Sequence, residues 1–418
     1  MNNHYLQLLK NKVNIFLRIR ISKKIMKLQK KIIFINSEES YRKSLFDEKE
    51  EKLKKSKLYL DASDQEKANL IDELNLTKST FFKKLDLDIK HKVEKINEKI
   101  AGFKTKHILL NSKFDGALQY EKQEIESKLS TKESLDEMTI KQLEDKKEIL
   151  DKRLEFKNQK DLHLSLSNLT MSFGGLKAVD KLSFDVKKGE IFGLIGPNGA
   201  GKTTVFNCIT QFYKPSFGDI YYRDENDKVS SLISYKVHDI INLGIVRTFQ
   251  NVELVWELTV LDNLLVGAHS LYNSGFFSQL LHLPKFKYEE KVLKNKAYDI
   301  LAKLDLLAYK DMIPYGLPYG ILKKIELART LMTNPKLIIL DEPAAGLNDS
   351  ETKDLAKLIR EIRDKFNLTI FLVEHDMELV MDICDTICAI SFGKKLAIGT
   401  PSEIQTSKLV QEAYLGGE

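Results

Sequence analysis

Cysteine is scarce. Cys208, Cys384 and Cys388 are the three in 418 residues, and none forms a CxxC pair. An odd count without pairing excludes a disulfide framework and fits a reducing compartment. No run of 18 apolar residues occurs, which excludes a bilayer-spanning helix, and no signal peptide with a small-residue cleavage site is legible. Proline is absent from the first 160 residues, which also hold only two of the 20 glycines. A stretch without turn punctuation reads as mainly helical or partly disordered, and the remainder reads as globular. Charge divides the same way, with 37 Lys+Arg against 27 Asp+Glu up to residue 160 and 29 against 33 beyond it. The expected organisation is a charged, mainly helical extension over 1–161 and a globular domain over 162–418.

Acids are missing altogether from residues 1–31. Within 15–35, Arg20, Lys23, Lys24, Lys27, Lys30 and Lys31 fall on one side of a helical wheel, opposite Ile15, Ile19, Ile25, Met26, Ile32 and Ile33. Such a basic amphipathic helix can lie on an anionic membrane surface or pack on a protein partner, and Leu17 to Ile21 also alternates like a strand. From Ser37 to Gln159 the charges alternate in sign. Ile125, Leu129, Leu135, Met138, Leu143, Leu150 and Leu154 could form one narrow stripe, but the heptads are broken, so a solvated helix or helical hairpin is expected rather than a long coiled coil.

The chemistry begins at Gly196-Pro197-Asn198-Gly199-Ala200-Gly201-Lys202-Thr203-Thr204, which fits G-x-x-x-x-G-K-[ST]. The stretch 190–195 reads as a buried strand before it, and 205–209 as the helix after it, which is the context the motif requires. Glycines let backbone N–H groups wrap a phosphate chain, and the helix start adds a positive dipole end. Lys202 can reach the β- and γ-phosphates, and the Thr203 hydroxyl can ligate Mg²⁺. The site is one for a nucleoside triphosphate.

Further candidates follow this loop or precede it. Phe173, after an alternating strand, can stack on a base. Gln250, at a strand end, can offer its amide to Mg²⁺ or to an attacking water. Residues 253–330 read as a mostly helical insertion that closes on a Gly-containing loop with Tyr319 and Gly320. The apolar run 337–340 ends in Asp341 and Glu342, placed to hold Mg²⁺ and to polarise the hydrolytic water. A turn at 345–348 precedes a helix over 349–366, and a second apolar strand ends Glu374-His375-Asp376. If this strand lies beside the one bearing Glu342, His375 can contact the γ-phosphate. Strands alternating with helices indicate a mainly parallel sheet with ligands outside its carboxyl edge.

With these motifs in this order, residues 162–418 resemble the ATPases of ABC transporters. The phosphate loop matches the family's Walker A, Gln250 its Q-loop, and residues 317–321 its signature. Asp341 and Glu342 match Walker B, 345–348 the D-loop, and His375 the switch histidine. Phe173 sits where the base-stacking aromatic belongs. Ser172-Phe173-Gly174-Gly175-Leu176, Arg247-Thr248-Phe249-Gln250-Asn251 and the ending Ala413-Tyr414-Leu415-Gly416 are similar to the LivG-type subunits of branched-chain amino-acid importers. Pro318 and Ile321 depart from the superfamily's usual Ser and Gln.

The resemblance implies a P-loop NTPase of ABC type. It has a mainly parallel central sheet, an antiparallel β subdomain and a helical subdomain over about 253–330, here preceded by the N-terminal extension. It further implies ATP and Mg²⁺, and a second ATPase subunit whose signature completes the site. Permease subunits would span the membrane, a periplasmic or surface substrate-binding protein would feed them, and the chain would sit at the cytoplasmic face as a peripheral subunit. Lipid or lipopolysaccharide export is the nearest alternative activity. A soluble ABC protein acting on ribosomes or DNA is a third; the single nucleotide domain argues against the ribosomal type, while the basic start of the chain is the feature that suits nucleic acid.

Overall fold

Without a proline to interrupt it, the N-terminal stretch winds into α1 (Asn2–Lys54), α2 (Asp64–Ser130) and α3 (Glu137–Asn158). Ion pairs Glu38–Arg42, Glu39–Lys43 and Glu50–Lys54 place the acid one turn before the base, the favourable order along a helix. The strands are β1 (Leu162–Phe173), β2 (Leu176–Lys187), β3 (Ile191–Ile195), β4 (Phe217–Arg223) and β5 (Val229–Ser231). They continue with β6 (Ile245–Arg247), β7 (Leu337–Asp341), β8 (Thr369–Val373), β9 (Thr386–Ser391) and β10 (Lys394–Gly399). Between them lie α4 (Lys202–Ile209), α5 (Val260–Gly267), α6 (Pro284–Lys303), α7 (Tyr319–Leu331), α8 (Asp349–Phe366) and α9 (Met377–Ile383). α10 (Pro401–Thr406) and α11 (Lys408–Leu415) close the chain. This computed structural model describes the backbone of residues 2–56, 60, 63–130, 137–225, 227–248, 253–272, 274, 281 and 283–415.

The chain groups into two units, residues 1–116 with 258–313, and residues 117–257 with 314–418. These cuts differ from the composition break at 161/162, because α1 packs along α6. Ser40 Oγ donates to Asp299 Oδ2 at 3.0 Å, Arg42 Nε donates to Tyr288 OH at 3.3 Å, and the rings of Tyr41 and Tyr288 meet edge to face. The expected helical subdomain over 253–330 is also divided, since α7 groups with the second unit and packs against α8.

In the first unit, α1 and α2 form an antiparallel hairpin. Lys24 lies over the Phe103 ring, Lys43 pairs with Asp86 at 3.1 Å, and Lys78 with Glu50 at 3.7 Å, so partners recede in α2 as they advance in α1. The basic amphipathic segment keeps its sidedness here, with Arg20, Lys24, Lys27 and Lys31 exposed and Ile25 buried. Lys30 Nζ donates to the Ser270 carbonyl at 3.1 Å, a contact within the same unit. The other apolar stripe breaks as its heptads do, since Ile125 is buried and Met138 is 72% exposed.

In the second unit, the end of α2 pairs with α3 through Lys122–Asp151 and Glu126–Lys147. α3 then docks on a four-stranded antiparallel sheet of order β2-β1-β4-β5. Phe156 packs with Leu162 and Tyr221 and is fully buried. The Arg223 guanidinium, itself buried, donates to the carbonyls of Phe156, Lys157 and Gln159 and so satisfies the open end of α3.

The larger sheet has six strands in the order β10-β9-β3-β8-β7-β6, all parallel except β10. β3, β7 and β8 are buried along their whole length, as continuous apolar runs in a covered parallel sheet must be. The Phe184, Phe192 and Phe371 rings stack between the two sheets. Register pairs Leu194 with Val373 and Val373 with Asp341, so the loops after β3, β8 and β7 leave one carboxyl edge side by side.

Candidate functional site

The phosphate loop leaves β3 at Gly196 and enters α4 at Lys202. Two of its glycines are sterically required. A Cβ on Gly196 would lie 2.3 Å from the Ile390 carbonyl oxygen, and one on Gly201, at φ +103°, would lie 2.5 Å from that of Ala178. Gly393 N–H donates to Ala200 O at 2.9 Å and pins the loop from the β9–β10 turn. Asn198, Gly199 and Thr203 are exposed, while Pro197 and Thr204 are half-buried. Lys202 is buried, and its Nζ donates to the carbonyls of Gly196 at 2.7 Å and Pro197 at 3.1 Å. Burial lowers its pKa, against the opposing pull of Glu342, Asp341 and Glu374. The ammonium therefore sits inside the loop with three carboxylates near it. Exchanging two carbonyl acceptors for anionic phosphate oxygens would strengthen its hydrogen bonds.

Asp341 ends β7 and is buried. Burial pushes its carboxyl up to about 6, although Arg247 pulls the other way. An Arg247 guanidinium nitrogen lies 3.6 Å from Asp341 Oδ2. The same guanidinium stacks 4.0 Å over Phe206 and donates to Asn207 Oδ1 at 3.3 Å, both on α4. Arg247 thus joins the acidic strand end to the helix of the phosphate loop. The sequence placed it in a motif but gave it no task.

Glu342 adopts a left-handed backbone at φ +46°, held by its N–H donating to Val373 O at 2.8 Å. His375 follows β8, and its Nδ1 is 3.8 Å from Glu342 Oε1. The expected adjacency of the two strands is therefore present. Between Val373 and His375, the fully buried Glu374 carboxylate accepts from three backbone N–H groups, of Ala344, His375 and Asp376. Asp376 caps α9 by accepting from Leu379 N–H.

Phe173, at the end of β1, is 43% exposed and meets Tyr213 edge to face at 5.2 Å. Tyr319 begins α7 after Pro318 and donates from its hydroxyl to Ala345 O at 3.4 Å. A Cβ at Gly320 would meet no atom within 4 Å. The Ile321 N–H donates to Pro318 O at 2.9 Å, within the first turn of α7. Gln250 lies outside the described residues.

The loop and its surroundings suit a nucleotide with a hard cation. Gly196 and Gly201 hold a tight turn that a Cβ would drive into the Ile390 and Ala178 carbonyls, and Thr203 and Asp341 offer oxygen donors of the kind Mg²⁺ takes alongside phosphates. Among the described residues no cluster of three or more His, Cys, Asp or Glu is placed to hold a metal by itself.

Known proteins match on this region. The family described as ABC transporter matches residues 179–345, and the branched-chain amino acid ATP-binding cassette transporter family matches residues 394–418. The high-affinity branched-chain amino acid transport ATP-binding protein LivG of Salmonella typhimurium is 46% identical over 253 residues, 60% of this chain and 97% of that protein. BraF of Pseudomonas aeruginosa, with the same description, is 44% identical over 60% of this chain and 97% of its own length. Among solved structures, a nucleotide-free ATP-binding cassette from an ABC transporter superposes with a TM-score of 0.52 at 32% identity, covering 60% of this chain and 98% of its own. The ADP conformation of an ATP-binding cassette gives the same TM-score and identity over 62% and 99%.

Proposed function

Since the chain belongs to the ATP-binding proteins of ABC transporters, in the branched-chain amino-acid group, we propose that it binds ATP at residues 196–204 and hydrolyses it to drive import of branched-chain amino acids. The observation that carries this is the convergence at one sheet edge of the Lys202 ammonium, Asp341, Glu342 and His375.

Lys202 would exchange the Gly196 and Pro197 carbonyls for β- and γ-phosphate oxygens. The exposed Phe173 ring would stack on adenine, and the N–H groups of Gly199 to Thr204 would surround the phosphates. Thr203, Asp341 and Gln250 would hold Mg²⁺, which when bound offsets charge on the phosphate oxygens. Glu342 would take a proton from the attacking water, while His375 donates a hydrogen bond to the γ-phosphate.

Tyr319 and Gly320 contact the 345 turn or open space in this chain. Their N–H groups would serve the γ-phosphate of a second ATPase subunit, so hydrolysis requires a dimer. Among the described residues no helix is long and apolar enough to cross a membrane. The chain would therefore act as a peripheral subunit on the cytoplasmic side of permease partners.

The test is reconstitution with candidate permease subunits in proteoliposomes, with ATP turnover and leucine uptake measured together. Uptake of leucine that requires ATP is expected. Turnover coupled instead to lipid release would replace the importer reading.

A further inference from the structure

We infer that Glu374 is a positioning residue that locks the 343–348 turn to the loop carrying His375. The inference rests on the ATPase reading for its functional meaning and on geometry alone for its structural part. Glu374 is completely buried, and its two oxygens divide between two loops. Oε1 accepts from Ala344 N–H at 2.9 Å, in the turn after Glu342; Oε2 accepts from His375 N–H at 2.7 Å and Asp376 N–H at 3.2 Å. Burying a carboxylate is costly unless hydrogen bonds replace its water, and three N–H donors do so here.

The arrangement is selective for glutamate. Only a carboxylate offers two acceptor atoms and no donor. Glutamine would turn an NH₂ toward an N–H on one of the two loops. Aspartate keeps the charge but is one methylene short of spanning from β8 to Ala344.

Glu374 also stands in a line of contacts. The Tyr319 hydroxyl meets Ala345 O, the Ala344 N–H meets Glu374, and Glu374 meets the His375 backbone. The turn that touches the signature residue and the loop that carries the switch histidine therefore share one anchor. A disturbance at Tyr319 has a contiguous physical route to His375. Glu374 also acts electrostatically on the Lys202 ammonium, and its Oε2 stands 3.5 Å from the His375 ring Nδ1.

The experiment uses the full chain, alone for amide exchange and in the reconstituted transporter for kinetics, with Glu374→Gln, Glu374→Asp, Glu342→Gln and wild type. In exchange, Glu374→Gln should speed the amides of 343–348 and 374–377 by at least about tenfold, with 196–204 unchanged; Glu374→Asp should speed 343–348 alone. In kinetics, Glu374→Gln should lower kcat by at least about tenfold while KM for ATP stays within about threefold, the pattern of a misplaced catalytic group rather than lost binding. Unchanged exchange at 343–348, or a uniform rise over the whole unit with kcat and KM failing together, overturns the proposal. The exchange arm needs no turnover. If wild type and Glu342→Gln are equally inactive, the ATPase reading falls while the exchange arm still decides the anchor.

Discussion

His375 Nδ1 stands 3.8 Å from Glu342 Oε1, across the gap between two parallel strands that pair Asp341 with Val373. A base and a hydrogen-bond donor this close frame the space where a γ-phosphate and its water would meet. Glu342→Gln keeps the shape of the side chain and removes the base. ATP should bind as in wild type and turnover should fall about 10²–10⁴-fold. Near-normal steady-state hydrolysis by this variant in the assembled transporter would falsify the role given to Glu342.

Lys202 is surrounded electrostatically by Glu342, Asp341 and Glu374. Lys202→Ala would leave those carboxylates facing the triphosphate without a cation between them. Affinity for ATP should drop by about 10–100-fold, as for losing a charged hydrogen bond of about 1.5–3 kcal/mol. Titration with a fluorescent nucleotide measures it, and unchanged affinity would mean the loop does not cradle phosphate.

Gly320 has open space where a side chain would go. Gly320→Asp should therefore fold with a melting temperature near that of wild type and bind ATP at its own phosphate loop. Its carboxylate would block and repel a partner's γ-phosphate, so hydrolysis should be lost. Wild-type turnover would show that residues 317–321 do not complete a site in trans. Pro318→Ser is milder, about tenfold in turnover at most, or 1.4 kcal/mol.

Asp341 has its carboxyl raised to about 6 by burial. Between the ordinary carboxylate value and about 6, the folded chain holds a proton that the unfolded chain has lost, so stability falls as pH rises through that window. The cost is complete above it. Asp341→Asn should then melt higher than wild type at pH 7.5, by about 2–4 °C for each kcal/mol relieved. The advantage should shrink toward pH 4.5. Scanning calorimetry without nucleotide at both pH values tests this, and an advantage that grows with acid would contradict it.

Phe156 is fully buried under Arg223, whose charge lies 5.2 Å from the ring centre. The composition break at residue 161 suggests that everything before it is dispensable to the fold of 162–418. The packing of α3 on β1 and β4 argues otherwise. Phe156→Ala should cost about 3–5 kcal/mol in denaturant unfolding, and removal of residues 1–160 should cost more. A loss under about 1 kcal/mol would mean that α3 is not part of the folded unit.

What the sequence made legible follows physical strength of signal. The runs 191–195 and 337–340 are uncharged and bounded by Glu190, Gly196 and Asp341, and both form strands, the second taking in Asp341. α8 begins and ends where expected because Asn348 and Glu351 form a capping box and Asn367 takes a left-handed turn. Phe156, by contrast, is a single apolar residue among alternating charges, and nothing local says that it is covered. Arg247 and Glu374 carried no signal of their own either. Their meaning comes from partners 40 or more residues away on α4 and β7, and from Ala344, 30 residues away. Pairing across such distances is fixed by sheet order, which no local pattern encodes.

The left-handed backbone at Glu342 has a wider meaning when set beside the buried Asp341. An L-residue held at φ +46° costs about 1–2 kcal/mol that glycine would not. The two adjacent acids are thus points where thermostability and activity oppose each other. A selection of variants for heat resistance alone would favour Glu342→Gly and Asp341→Asn, and would deliver a tougher chain that transports nothing. Stability and turnover therefore have to be selected together in this chain, because two stabilising changes lie at the end of a single strand that the site depends on.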